Sequence, residues 1–242
     1  MSTLLLRLAS PLQSWGVDSK FNRRETEKFP TKSGVIGMMA AALGRKRDEG
    51  IDDLRKLRFG VRIDQEGSLM RDFHMVHEEA FWRKGEVKYS HLTNRYYLSD
   101  AIFLVGLEGE PNFLQCLEQA IRNPVFPLFL GRRSCPPEGK LSLGIREGLD
   151  LLTALQNEPW IGQEHAGRWQ ASVISLQIVT DATSIDRESY FQRDDPVAFH
   201  HDHRQFAFRS VLNQQSCPVL NPFSRLKEEV LNTDHDPFNE LD

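Results

Sequence analysis

The stretch KFPTKSGVIGMMAAALGRKR, residues 28–47, decides the fold. Val35, Met38, Met39 and Ala42 recur at helical spacing, which predicts a helix from about Gly34 to Leu43. Thr31 or Ser33 can cap its start, and Gly44 can end it. Lys32, Ser33 and free backbone N–H groups then lie at the positive end of a helix dipole, an anion site in outline. The segment is not a P-loop, which needs Lys and Ser/Thr directly after its second glycine; here Met38 follows Gly37. Nor do Gly34 and Gly37 have the spacing or the βαβ setting of a dinucleotide fingerprint. ATP and NAD are therefore disfavoured, and a phosphate of a polymer remains open. An ordinary capped helix, packed closely through Gly37 and its alanines, fits the same residues.

Working outward, TLLLRLA (3–9) reads as a strand with Leu4, Leu6 and Leu8 on one face, broken by SPLQSWG. LRFGVRID alternates, with Leu57, Phe59, Val61 and Ile63 facing one way and Arg58, Arg62 and Asp64 the other, a half-buried strand. AIFLVGL (101–107) is a third strand, apolar enough to be central. PNFLQCLEQAIRN is a second helix, with Pro111 at its start and Phe113, Leu114, Leu117 and Ile121 on one side. VFPLFL (125–130) reads as a fourth strand, at an edge or irregular because of Pro127.

This order, βαββαβ, is an α+β ferredoxin-like unit, the RRM-like framework of RNA-recognition domains. Its two helices cover one face of the sheet and leave the other free. Between strands two and three an insertion of roughly 35 residues intervenes, too long for a structureless loop unless it is functional. After GRRSCPPEG the composition changes: a helix is expected over about 148–157, then strands at SVISLQIV and RQFAFRSVL. The expected division is residues 1–147, with the insertion at about 70–98, then a smaller mostly-β region over 148–226 and an acidic tail over 227–242.

The 242 residues are 40% hydrophobic and 26% charged, ordinary for a globular protein. No run approaches the ~18 apolar residues of a membrane helix, and no secretion signal is recognisable, so neither a membrane nor export is expected. Cys116, Cys135 and Cys217 are few and far apart, and no CxxC occurs; this fits free thiols in the cytoplasm and argues against a structural zinc site. The net charge of −4 hides an asymmetry. Residues 20–58 carry eleven Lys/Arg against six Asp/Glu, a local +5, while 225–242 carry two against six, a local −4.

The insertion interleaves Phe73, Phe81, Trp82, Tyr89, Tyr96 and Tyr97 with Arg71, Arg83, Lys84, Lys88, Arg95, His74, His77 and His91. Rings that stack on bases among cations that pair with phosphates are what single-stranded nucleic acid requires. An excursion that packs its aromatics on the main domain has the same composition. His74 with His77, and HHDH at 200–203, lack the partners of a metal site, so no metal and no cofactor are expected. His74, Lys88 and Tyr96 would serve a metal-free ribonuclease, yet no spacing singles out a pair and no nucleophile signature appears. Arg132 and Arg133 after the fourth strand extend the basic surface.

SPLQSWG, FNRRETEKFPTKSGVIGMMAAALGRKR, LRFGVRID, RYYLSDAIFLVGL, FPLFLGRRSCPP and DDPVAFHHDHRQFAFRSV together resemble the Cas-five family of RAMP proteins, in the CasD form of type I-E CRISPR (Cascade) complexes. The resemblance runs from about residue 4 to residue 212 and follows the family's motif order. It implies a ferredoxin-like RAMP domain, a thumb-like hairpin and a C-terminal β region. It further implies that the chain holds the 5′ handle of the CRISPR RNA and caps that end of the complex. The implied partners are the backbone subunit CasC, the large subunit CasA and, through the assembled complex, target DNA. Catalysis is not implied, because CasE cuts precursor RNA in type I-E systems; the alternative is a metal-independent endoribonuclease, as in type I-C relatives. The residues expected to contact RNA are Gln13, Ser14, Trp15, Lys20, Arg24, Lys32, Ser33 and Gly34, with Arg95, Tyr96, Arg132 and Arg133 beside them. Ten helical residues span roughly 15 Å, so TKSG and Arg45–Lys46–Arg47 cannot hold one phosphate together. The first is assigned to RNA, the second to DNA, another subunit or water.

Overall fold

The structure is a computed structural model that describes residues 1–16, 23–77, 90–182, 189–200 and 203–225. Lys20, the tip of the insertion and the acidic tail lie outside the described residues. Along the chain come β1 (Ser2–Ala9), β2 (Leu12–Gln13), β3 (Arg23–Arg24), α1 (Lys32–Ala42), α2 (Asp52–Arg55), β4 (Arg58–Gln65), β5 (Ser68–His77), β6 (Ser90–Ser99) and β7 (Ile102–Gly109). There follow α3 (Pro111–Arg122), β8 (Ser142–Glu147), α4 (Leu151–Asn157), α5 (Glu164–Gly167), β9 (Val173–Asp181), β10 (Ser189–Ala198) and β11 (Gln205–Leu220).

Seven strands form one antiparallel sheet in the order β10-β11-β9-β4-β7-β1-β8. β1 and β4 run parallel to each other with β7 between them, and α1 makes the crossover that joins them. Thr31 caps α1 by accepting the Gly34 N–H at 3.2 Å, and Gly44 just beyond its end has φ +77°. α3 starts at Pro111 behind Glu110, whose carboxylate accepts the Asn112 and Phe113 N–H groups. Leu4, Leu6 and Leu8 of β1 pack with Val35, Met39, Leu114 and Leu117 in one core.

Four expectations change here. The fourth strand next to β1 is β8, and residues 125–130 are irregular. The amides of Val125 and Phe126 turn away to donate to Ala42 O and Ala41 O at the C-terminal end of α1, the latter shared with the Gly44 N–H. The second face of the sheet is not open. Leu151, Ala154 and Leu155 of α4 pack on Leu5, Leu104 and Ile178 in a second core. α4 reaches the sheet over the cross-strand pair Gly60–Gly106; a Cβ on Gly106 would lie 2.6 Å from Leu151 Cδ1. Consequently β4 is buried on both faces rather than half-buried. Arg62 donates to both carboxylate oxygens of Asp64 at 2.8 Å and to the carbonyls of Leu155, Glu158 and Pro159, so it closes the C-terminal end of α4 from inside the core. Finally, two elements absent from the sequence reading, β10 and the extension of β11 to Leu220, complete the sheet. The strands of residues 148–226 join it through β4 and β9, so no break in the sheet falls at 147/148.

The insertion is a second, smaller sheet. β5 and β6 pair from Ser68–Ser99 to His77–Ser90 without a register shift, and β2 and β3 pair with the other edge of β6. No helix among the described residues is long and apolar enough to cross a membrane.

A closed ring of charges joins the C-terminal strands to α1. Asp194 Oδ2 accepts the Lys32 backbone N–H at 2.8 Å, and Arg209 binds Asp194 through Nε (2.6 Å) and Nη2 (3.0 Å). Arg209 Nη1 also donates to Asp181 Oδ1 at 2.6 Å, while Asp181 Oδ2 accepts from Lys32 Nζ (3.1 Å) and from the Phe59 N–H (2.9 Å). The two carboxylates beside Arg209 hold its guanidinium above its ordinary pKa in spite of burial. Arg209→Ala would leave the buried Asp194 without its charged partner and would take one of the partly buried Asp181's two cations. We expect a loss of about 3–5 kcal/mol, read as a lowered denaturant midpoint, with Arg209→Lys recovering part of it.

Candidate nucleic-acid interface

A cleft of about 890 Å³ runs along one side of α1. Its floor is the small-residue face of the helix: Ser33, Gly34, Gly37, Met38, Ala40 and Ala41. One wall is the segment after α3, with Phe126, Leu128, Phe129, Gly131, Arg132, Arg133 and Ser134. The rest comes from Arg24 and Arg95 of the small sheet, Arg45–Lys46–Arg47 after the helix, and Phe199 and Arg204 around the β10–β11 connection. Among the described residues the lining holds eight cations, Arg24, Arg45, Lys46, Arg47, Arg95, Arg132, Arg133 and Arg204, and no carboxylate. Arg45 is neutralised by Asp53 in a bidentate pair that also holds the Asp53 carboxyl below its usual range. Arg24, Lys46, Arg47, Arg133 and Arg204 have no ion-pair partner among the described residues. A concave surface of one sign over low-dielectric walls concentrates counter-charge.

The expected contact residues divide into two groups. Gln13, Ser14, Trp15 and Lys32 are buried and have partners inside the chain. Gln13 Nε2 donates to Leu8 O and Ala101 O, and its Oε1 accepts from Trp15 Nε1. Ser14 Oγ donates to Tyr96 O, which ties the chain just after β2 to β6. Trp15 lies under the first turn of α1, where a Cβ on Gly34 would stand 2.8 Å from Trp15 Cε3. Lys32 belongs to the charge ring, so Asp194 and Asp181 already occupy the helix N-terminus and the lysine. The second group faces the cleft: Arg24, Ser33, Gly34, Arg95, Arg132 and Arg133. Tyr96 stands beside it, with the Arg23 guanidinium 5.4 Å from its ring. Lys20 lies outside the described residues.

Arg132 builds the wall as well as charging it. Its Nη2 donates to Arg24 O at 2.9 Å, and its guanidinium stacks 4.6 Å from the centre of the Tyr97 ring. Its Nη1 and the Nε of Arg95 are buried without a partner among the described residues. The sequence reading left out Phe126, Phe129, Phe199 and Arg204 of the lining, and also Gly131, at φ +83°, which passes so close to the chain before α1 that a Cβ would meet Ser14 O at 1.6 Å. The glycine ahead of two arginines was the available signal. TKSG and Arg45–Lys46–Arg47 are too far apart for one phosphate, yet the cleft makes them the two ends of one path.

The family described as CRISPR-associated protein (Cas_Cas5) matches residues 3–212. This chain belongs to the Cas5 family. It is 36% identical over 177 residues to the CRISPR system Cascade subunit CasD of Escherichia coli (strain K12), covering 66% of this chain and 79% of that one. A chain of a CRISPR RNA-guided surveillance complex superposes with a TM-score of 0.75 at 28% identity, covering 92% of each chain. The crystal structure of a Cas protein superposes with a TM-score of 0.70 at 39% identity, covering 91% of this chain and 99% of that one. Within this Cas5 chain the cleft lies wholly inside the matched residues.

Gly131→Ala tests how the wall is built. The alanine must adopt a left-handed backbone and collide with a carbonyl, at a cost of about 3 kcal/mol or more. Thermal denaturation of the variant should show that loss, whereas Gly148→Ala, also at positive φ but with no atom within 4 Å, should lose less.

Proposed function

We propose that this Cas5 protein is a non-catalytic RNA-binding subunit of a type I-E CRISPR surveillance complex, serving antiviral defence in the cytoplasm. The cleft grips the single-stranded 5′ handle of the CRISPR RNA, and the subunit caps that end of the ribonucleoprotein. The observation that carries this reading is the row of cations along the small-residue face of α1, with no carboxylate among the described lining residues. Arg24, Lys46, Arg47, Arg133 and Arg204 neutralise phosphates, Phe126, Phe129 and Phe199 supply apolar contact for bases, and Gly34, Gly37 and Ala41 let the strand approach the helix closely. Arg95, Arg132, Tyr96 and Ser33 shape the same path, while Gln13, Ser14, Trp15 and Lys32 hold its floor from beneath.

The order β8-β1-β7-β4 with α1 and α3 on one face supports a ferredoxin-like RAMP unit, to which residues 148–226 add strands. The β5–β6 hairpin is the thumb, set over the RNA against the backbone subunit CasC, with CasA adjoining and target DNA reached through the assembled complex.

A salt titration of handle RNA binding tests the cleft. Each cation that pairs with a phosphate adds about −0.7 to the slope of log K against log salt. Arg133→Ala and Lys46→Ala should each make the slope shallower by about that amount. Lys32→Ala should lower stability and leave the slope unchanged; unchanged slopes for the first two variants would remove the cleft from the RNA path.

The rival, a metal-independent endoribonuclease, has less support. His74 pairs across the hairpin with Thr93, and Tyr96 with Arg71, so the two side chains belong to opposite faces of the ladder. Burial raises the thiol pKa of Cys135 and of Cys217, which keeps both from acting as thiolate nucleophiles. Repeat RNA incubated with the purified protein in EDTA should stay intact; discrete products lost on His74→Ala would favour the rival.

A further inference from the structure

We infer that the outer edge of β5 accepts an extended strand from another protein subunit, so that the hairpin is completed as a three-stranded ladder on assembly. The inference starts from how the chain treats its other edges. At one end of the large sheet, β10 carries Pro196 and two register shifts against β11. At the other end, the pairing of β8 with β1 shifts at Leu5/Leu6, and Gly144 in β8 has φ +96°. Bulges and proline are the devices that keep an exposed edge from pairing further. β5 has none of them. It is ten residues long, free of proline, in unbroken register with β6, and its outer edge has no strand partner among the described residues.

The side chains point to the same kind of occupant. Phe73 and Met75 of β5 and Leu92 of β6 share one face and are 53%, 50% and 44% exposed. Asp72, His74, Thr93 and Arg95 occupy the opposite face. Water satisfies an unpaired row of N–H and C=O groups in the free chain, but among macromolecular partners it is another extended backbone that matches the row's spacing; a helix keeps its own backbone groups paired, and RNA has no matching ladder. The occupant is therefore a strand with apolar side chains at alternate positions on the Phe73 face. A different subunit, rather than a second copy, is the partner, because this chain superposes on a member of a multi-subunit assembly along 92% of its length. The inference rests on the assembly proposed above, but not on RNA binding in the cleft.

Residue-resolved hydrogen exchange on the isolated chain and on the native complex tests it. The expected result is new protection at alternate amides of β5 in the complex, the mark of an added strand rather than of side-chain packing. A complex carrying Phe73→Lys and Met75→Lys should lose that protection and incorporate less of the subunit, while the isolated variant, changed only at exposed positions, keeps the parent's thermal denaturation midpoint. Uniform protection or none along β5 in the parent complex overturns the inference. So does a concentration-dependent dimer of the isolated chain with the same alternate pattern, since the occupant is then a second copy. If the salt slope fails in the cleft variants but the alternate protection is present, the RNA reading falls and the strand addition stands.

Discussion

The ring of Lys32, Asp194, Arg209 and Asp181 is the constraint on which the rest depends. It joins the first turn of α1, the backbone of β4 at Phe59 and three strands from the C-terminal third of the chain. Lys32, Asp194 and Arg209 are buried and Asp181 is partly buried, so each charge needs the others in place. One consequence is structural. β10 leads into Phe199, which lies 3.5 Å from where a Cβ on Gly37 would be, so the ring that fixes β10 also brings Phe199 and Arg204 to the cleft. The other is chemical. A helix N-terminus with a lysine is an anion site, and here the anion is Asp194 of the same chain. The charge that meets a ligand must come from side chains along the helix rather than from its end.

Burial of the second face of the sheet moves the interface in the same way. A four-stranded sheet with helices on one side offers its other side as a platform for bases. Here α4 seats on the Gly60–Gly106 pair, and Leu5, Leu104 and Ile178 go into a second core. The open surface that remains is the groove where the large sheet's helix layer meets the small sheet. Its residues come from five separate parts of the chain, and Arg132 stitches two of them together through Arg24 O and Tyr97.

Much of the first half was legible. Thr31, Gly44 and Pro111 punctuate the helices where capping chemistry requires, and β1, β4 and β7 follow from their apolar patterns. VFPLFL was misread because an irregular segment can be as apolar as a strand; Leu130 is fully buried, Val125 and Phe126 are exposed, and the amides before Pro127 serve α1. SLGIRE, the true fourth strand, hides behind Gly144 and Arg146. Alternation in LRFGVRID fixed which residues share a face but not what covers each face. Arg62 finds its carbonyl partners more than 90 residues away, at the end of α4. The cleft was half legible for a related reason: sequence displays cations and glycines, not the fold that turns Lys32 inward and Arg133 outward.

The distribution of charge shows why one cavity and not the other reads as a polyanion site. A second cavity, of about 800 Å³, lies by the ring and is lined by Lys32, Arg55, Lys56, Arg58 and Arg209 together with Asp52, Asp181 and Asp195. There Arg55 holds Asp195, Arg58 holds Glu108, and Arg209 holds its two aspartates, so the cations are spent on the protein itself. In the cleft along α1, among the described residues, only Arg45 is spent on a carboxylate, and the other cations line a concave wall. Their mutual repulsion opposes the closed arrangement until counter-charge arrives, so a bound polyanion and the folded wall stabilise each other. A chain of net charge −4 thus presents a cationic groove because it places its carboxylates elsewhere, and the groove owes its sign to segregation rather than to an excess of base.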